Sequence, residues 1–130
     1  RGGAESISRW EHFQKEDHNG WTFASLDEVR ANMRATGYPE SKLHFVEGDV
    51  ETTIPVTAPE QISLLRLDTD WYRSTLHELN HLYPKLSRHG ALIIDDYGAY
   101  EGSRKATDEY FADAPIFLGR IDEAARIGFK

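Results

Sequence analysis

The sequence predicts an α/β fold of the doubly wound kind, with an antiparallel hairpin at one edge of its sheet. Three observations predict it. Strand-like and helical stretches alternate from about residue 43 onward, which asks for parallel strands joined by right-handed crossovers. The runs Ile62–Leu67 and Ala91–Ile94 are largely apolar without alternation, as strands covered on both faces are. The 130 residues contain no repeat, low-complexity tract or linker, so they make one domain: a helical N-terminal segment over 1–42 and an α/β core over 43–130.

Each element has its own signal. Residues 5–17 read as a helix, with Ile7, Trp10 and Phe13 three apart among charged neighbours, ended by the turn pair Asn19-Gly20. Ser25-Leu26-Asp27-Glu28 is a capping box, in which serine and glutamate satisfy backbone N–H groups reciprocally. Its helix carries Leu26, Val29 and Met33 on one face and stops at Gly37, with Pro39 beyond. Leu43–Val46 is a short strand leading into Glu47-Gly48-Asp49, and the prolines at 55 and 59 make residues 51–60 irregular. Ile62–Leu67 is a strand ending at Asp68-Thr69-Asp70. Thr75-Leu76-His77-Glu78 reads as a second capping box, opening a helix to about Leu86. The strand Ala91–Ile94 ends at Asp95-Asp96, a further helix covers about 101–112, and Pro115–Ile121 with Ala125–Phe129 form the terminal hairpin around Asp122-Glu123.

Composition narrows the function. At 39% hydrophobic and 28% charged the chain is globular rather than disordered. The absence of cysteine removes disulfide scaffolds, zinc ribbons and thiol catalysis, and suits a cytoplasmic setting. Fifteen Lys and Arg against 22 Asp and Glu, net −7 with no basic cluster, argue against a nucleic-acid partner. Apolar runs are too short for a signal peptide or a membrane span, so no membrane partner is expected.

Two motifs compete for the chemistry. His77-Glu78-Leu79-Asn80-His81 matches the H-E-x-x-H of zinc peptidases, in which two histidines on one helix face hold the metal. With Leu76 at the origin, Leu79, Leu82, Tyr83 and Leu86 form an apolar stripe, and the histidines fall about 100° and 140° round, opposite it. They are expected to face solvent with no third ligand, so the motif reads as a coincidence.

The carboxylates at strand ends are the stronger signal. Asp68 and Asp70 end one strand, and Asp95 and Asp96 end the next after a single crossover. Ligands of open parallel sheets bind outside the carboxyl ends of the strands, and neighbouring strands lie only about 4.8 Å apart. Four converging carboxylates repel unless something positive sits among them, and oxygen-only ligands suit Mg²⁺, Mn²⁺ or Ca²⁺. Lone acids at strand ends usually do no more than solvate them and cap helices; two pairs on adjacent strands favour a site. On this reading Asp68, Asp95 and Asp96 are metal ligands and Asp70 a general base beside the metal. Trp71 and Tyr97 flank the site and are candidate walls of a substrate pocket. Arg104 reads equally as a substrate-positioning residue or a helix cap.

The runs Leu64-Leu65-Arg66-Leu67-Asp68-Thr69-Asp70-Trp71-Tyr72 with Ser74-Thr75, Leu82–Ser87, Ile93-Ile94-Asp95-Asp96-Tyr97-Gly98 and Arg104-Lys105-Ala106 together resemble the macrocin O-methyltransferase family. The resemblance extends from about residue 5 to the end. It implies a Rossmann-like class I methyltransferase fold with a mostly parallel sheet. It also implies S-adenosylmethionine and Mg²⁺ as cofactors and a hydroxyl on a sugar-bearing small molecule as acceptor. The resemblance assigns Asp68, Asp95 and Asp96 to the metal, Asp70 to proton abstraction, and Gly48 and Asp49 to the neighbourhood of the cofactor's adenine, with Asp68 also beside the cofactor.

There is one departure. The glycine-rich loop and the acidic strand end with which such folds hold methionine and ribose are not visible. Arg1-Gly2-Gly3-Ala4 reads as a variable segment before a helix rather than as that loop. The expectation is therefore the C-terminal part of a methyltransferase, lacking its first two strands, with an exposed apolar edge that oligomerisation would cover. Two other readings remain: a metal-dependent glycosyltransferase using its D-x-D, and an inert folded fragment.

Overall fold

The computed structural model describes residues 4–14 and 23–130. The first helix, α1, spans Ala4–His12 and stops short of the expected Phe13 and Gln14; residues 15–17 of the expected helix, the Asn19-Gly20 turn and Trp21 lie outside the described residues. Helix α2, Leu26–Ala35, starts as the sequence predicts. The Ser25 side chain accepts from the Glu28 N–H, and Glu28 reaches back to the Ser25 N–H at 3.1 Å. Gly37 follows it at φ +74°, a left-handed conformation that glycine adopts without strain.

The expected strand at Leu43–Val46 does not form. Its residues carry no ladder, and Asp49 leads instead into a short helix, α3, Val50–Thr53. A strand exists only by pairing, and the described sheet offers this segment no neighbour.

The sheet has the order β1-β2-β4-β3. Strand β1 (Ile62–Leu67) runs parallel to β2 (Leu86–Ile94), joined by helix α4 (Tyr72–Leu82) and a single 3-10 turn through Pro84. Leu86 therefore opens β2 rather than ending the helix. Helix α5, Glu101–Tyr110, leads to the predicted hairpin: β3 (Gly119–Arg120) pairs with β4 (Arg126–Phe129), and β4 lies antiparallel to β2.

Helices α4 and α5 pack on each other and cover one face of the sheet, where Leu65, Leu67, Leu79, Leu86, Leu92, Ile94 and Phe111 form the core. Cover on both faces was expected. Instead β1 alternates over its last four residues, with Leu64 (60%) and Arg66 exposed and Leu65 and Leu67 buried, because no described helix packs on its other side.

The second capping box is also absent. Helix α4 begins four residues early, after Trp71, which puts Thr75 and Glu78 inside it, both buried. A Thr-x-x-Glu spacing lies on one helical face wherever it occurs, so the same pair serves equally as an inward face.

Candidate active site at the carboxyl ends of the strands

The parallel ladder builds the site. Leu67 pairs with Ile94, and the Asp95 N–H continues the ladder by donating to the Leu67 carbonyl at 3.0 Å. Asp68 leaves one strand and Asp95-Asp96 leave its neighbour at the same level.

Asp68, Asp70 and Asp96 each bring a carboxylate oxygen within 4.8 Å of the other two. Asp70 gets there through a left-handed backbone, φ +60°, which aspartate tolerates better than most residues. Asp96 is buried, and its Oδ2 has no hydrogen-bond partner. Asp95 is not brought into this group. Arg66 joins it to Asp68 instead, with guanidinium contacts of 2.6 Å to Asp68 and 3.0 Å to Asp95. All three side chains of that bridge are partly exposed.

Burial and mutual repulsion raise the proton affinity of the inner pair. Asp96 is pushed up to about 7, first by burial, then by the charge of Asp70 and the hydrogen bond it shares with it. Burial also pushes the Asp70 carboxyl up; the hydrogen bond with Asp96 opposes that, and the charges of Asp68 and Asp95 add to it. Two carboxylates this close bind one proton as a unit.

Three neighbours were not legible as site residues. Tyr100 caps α5, and its N–H donates to the Asp96 carbonyl at 2.9 Å. Burial raises its phenol first, with Asp70 and Asp96 contributing. Glu78, 6% exposed, accepts a 2.8 Å hydrogen bond from the Thr69 hydroxyl. Ser74 donates to the Thr69 and Trp71 carbonyls. Only the D-x-D turn, itself visible in the sequence, links the last two to the site.

Other candidates resolve differently. Tyr97 turns away from the carboxylates: it donates to Asp108 at 2.7 Å and lies beneath both Arg104 and Arg126. Arg104 holds the loop by donating to the carbonyls of Tyr97 and Gly98. His77 and His81 are half-buried rather than fully exposed, and His77 Nε2 is 2.9 Å from the Ile54 carbonyl. Glu78 points inward from the same motif, so the three do not converge, and the carboxylate trio is the only metal-ligand group among the described residues.

Beside the trio, Asp49, Trp71, Tyr72, Ser74, Ile7 and Trp10 line an open cavity of about 550 Å³. Trp71 packs edge-on to Tyr100 with ring centres 6.4 Å apart. Asp49 spends one carboxylate oxygen capping α3, accepting from the Glu51 N–H at 2.8 Å. Gly48 takes φ +137°, and a Cβ there would meet Thr53 Cγ2 at 2.9 Å. No described helix is long and apolar enough to cross a membrane.

Comparison with known proteins gives a consistent set of relatives. Residues 5–126 match the macrocin-O-methyltransferase (TylF) family. An 8-demethyl-8-(2,3-dimethoxy-alpha-L-rhamnosyl)-tetracenomycin-C 4'-O-methyltransferase of Streptomyces olivaceus is 35% identical over 108 residues, covering 83% of this chain and 41% of that protein. Demethyldecarbamoylnovobiocin O-methyltransferase of Streptomyces niveus is 38% identical over 92 residues, 71% of this chain and 35% of that one. The structure of the O-methyltransferase NovP superposes with a TM-score of 0.81 at 33% identity, over 86% of this chain and 47% of that chain. The chain thus spans less than half the length of these relatives.

Proposed function

Because the chain belongs to the macrocin O-methyltransferase family, we propose that it is the acceptor- and metal-binding part of an S-adenosylmethionine-dependent O-methyltransferase acting on a sugar hydroxyl of a small glycosylated molecule. The observation that carries this reading is the meeting of Asp68, Asp70 and Asp96 at the ends of two parallel strands, with a buried, unpartnered oxygen on Asp96. The curated relatives, named as methyltransferases of glycosylated natural products, support the substrate class.

The residues fit a hard divalent cation. The donor set is all carboxylate oxygen, and a cation would satisfy the orphaned Asp96 Oδ2. Asp68 and Asp96 would hold it, with Asp95, already sharing a cationic partner with Asp68, as the further ligand. The cavity beside them has aromatic walls in Trp71 and Trp10 and a carboxylate in Asp49, which suits the adenosyl group of a methyl donor. When bound, S-adenosylmethionine supplies an electrophilic methyl group, and the cation supplies positive charge beside the acceptor oxygen.

The chain's own residues do the rest. Asp70 accepts the proton of the acceptor hydroxyl on a carboxylate oxygen, aimed by its left-handed backbone. Asp96, whose carboxyl burial and the charge of Asp70 push up to about 7, would be held ionised by a bound cation. Trp71 and Tyr72, on the wall of the cavity next to Asp70, hold the acceptor against the carboxylates.

The test is methyl-labelled S-adenosylmethionine with Mg²⁺ and a set of glycosides bearing free sugar hydroxyls. Label on a sugar oxygen, abolished by a chelator and restored by Mg²⁺, is expected. Glycosyl transfer from a nucleotide sugar instead would overturn the reading, and so would failure to bind S-adenosylhomocysteine in calorimetry.

A further inference from the structure

The D-x-D turn is held from below by groups that touch neither strand end. Asp68 and Asp70 are useful together only if the residue between them is fixed, since Asp70 adopts a backbone conformation that non-glycine residues leave readily. Thr69 is that residue, and it is tethered at both ends. Its hydroxyl donates to buried Glu78 at 2.8 Å. Its carbonyl accepts from Ser74 Oγ at 3.2 Å and from the Trp71 N–H at 2.6 Å.

We propose that Glu78 and Ser74, acting through Thr69, are positioning residues that hold Asp68 and Asp70 in the geometry needed to bind a divalent cation. This rests on the metal-site reading above. Glu78 lies on the second turn of α4, packed among core residues, so its carboxylate is a rigid anchor rather than a surface charge. A buried acid at this point of the helix is otherwise costly, and an apolar side chain would pack the core as well. Its carboxylate accepts from the Thr69 hydroxyl and so leads to the turn. The arrangement matches the general way in which groups behind a metal's ligands orient them.

The same tethers explain the early start of α4. Ser74 Oγ also donates to the Trp71 carbonyl at 3.1 Å, so the chain leaves the turn directly into a helix and carries Glu78 beneath Thr69.

The experiment is Mn²⁺ titration followed by electron paramagnetic resonance on the 130-residue chain, with thermal melts alongside. Thr69→Val keeps the shape but loses the donor, and should weaken Mn²⁺ binding roughly 10- to 100-fold. Thr69→Ser restores the donor and should recover most of that loss. Ser74→Ala removes the other tether from a half-buried position and should weaken binding several-fold without lowering the melt, so the test survives if Thr69→Val fails to fold. Unchanged Mn²⁺ affinity in Thr69→Val, or in Ser74→Ala where Thr69→Val does not fold, would overturn the proposal. If the unaltered chain binds no Mn²⁺, the metal reading itself fails. The tether is then judged by the amide resonance of Asp70 in the metal-free chain: moved by Ser74→Ala it supports the proposal, unmoved it overturns it.

Discussion

Asp96 lies against Asp70 with one carboxylate oxygen buried and unpartnered, and burial first, then the charge of Asp70, push its carboxyl from the ordinary 3.8 up to about 7. Between those two values the folded chain binds a proton that the unfolded chain does not. Stability of the metal-free chain therefore falls as pH rises across that window. Melting curves from pH 4 to 8 should show the decline, and saturating Mg²⁺ should reverse it at the upper end. Asp96→Asn removes the buried charge and its repulsion by Asp70 and should raise metal-free stability at pH 8. A flat metal-free profile would refute the shared proton.

Asp70→Asn tests the base. Asparagine tolerates the left-handed backbone at this position, so the fold should be kept. Methyl transfer should drop by about 10²- to 10⁴-fold, the usual contribution of a positioned proton acceptor. Single-turnover kinetics with labelled donor measures it, and unchanged turnover would remove Asp70 from the chemistry.

Asp95 is the residue for which resemblance and geometry part. The resemblance implies a ligand; the structure joins it to Arg66, outside the trio. Asp95→Asn should weaken Mn²⁺ binding about tenfold or more if the carboxylate turns from Arg66 to the cation. Because the Arg66 bridge is partly exposed, its loss alone should change stability by only about 0–1 kcal/mol. A calorimetric titration paired with a chemical melt separates the two effects.

Gly98 fixes the loop behind Asp96. Its N–H donates to the Ala124 carbonyl at 2.7 Å, and a Cβ would lie 2.0 Å from the Glu123 carbonyl oxygen. Gly98→Ala must push the 122–125 turn away from this loop, at a cost of about 1–3 kcal/mol for overpacking. Denaturant unfolding should show the loss, together with weaker Mn²⁺ binding, since Asp96 sits two residues away.

Much of this molecule was legible because its signals are local. Ser25 and Glu28 carry their capping box in four residues, and Asp68, Asp70, Asp95 and Asp96 sit where two apolar runs stop. What was not legible depends on partners distant in sequence. Leu43–Val46 has the composition of a strand and, among the described residues, no strand to pair with. Thr75 and Glu78 have the spacing of a cap and the burial of a core face. Tyr97 follows Asp95-Asp96 directly yet turns to Asp108, eleven residues on, where Arg104 and Arg126 both stack on its ring. Tyr100 reaches the site only because the loop after β2 folds back, bringing its N–H to the Asp96 carbonyl.

The central claim is that the carboxylates at the ends of β1 and β2 form a site for a hard divalent cation. The most direct measurement is Mn²⁺ binding to the 130-residue chain at pH 8, read by loss of the free-ion paramagnetic signal. Saturable binding, displaced by Mg²⁺ and abolished by Asp96→Asn, is the predicted result. Binding that survives Asp96→Asn, or no saturable binding at all, would contradict the account.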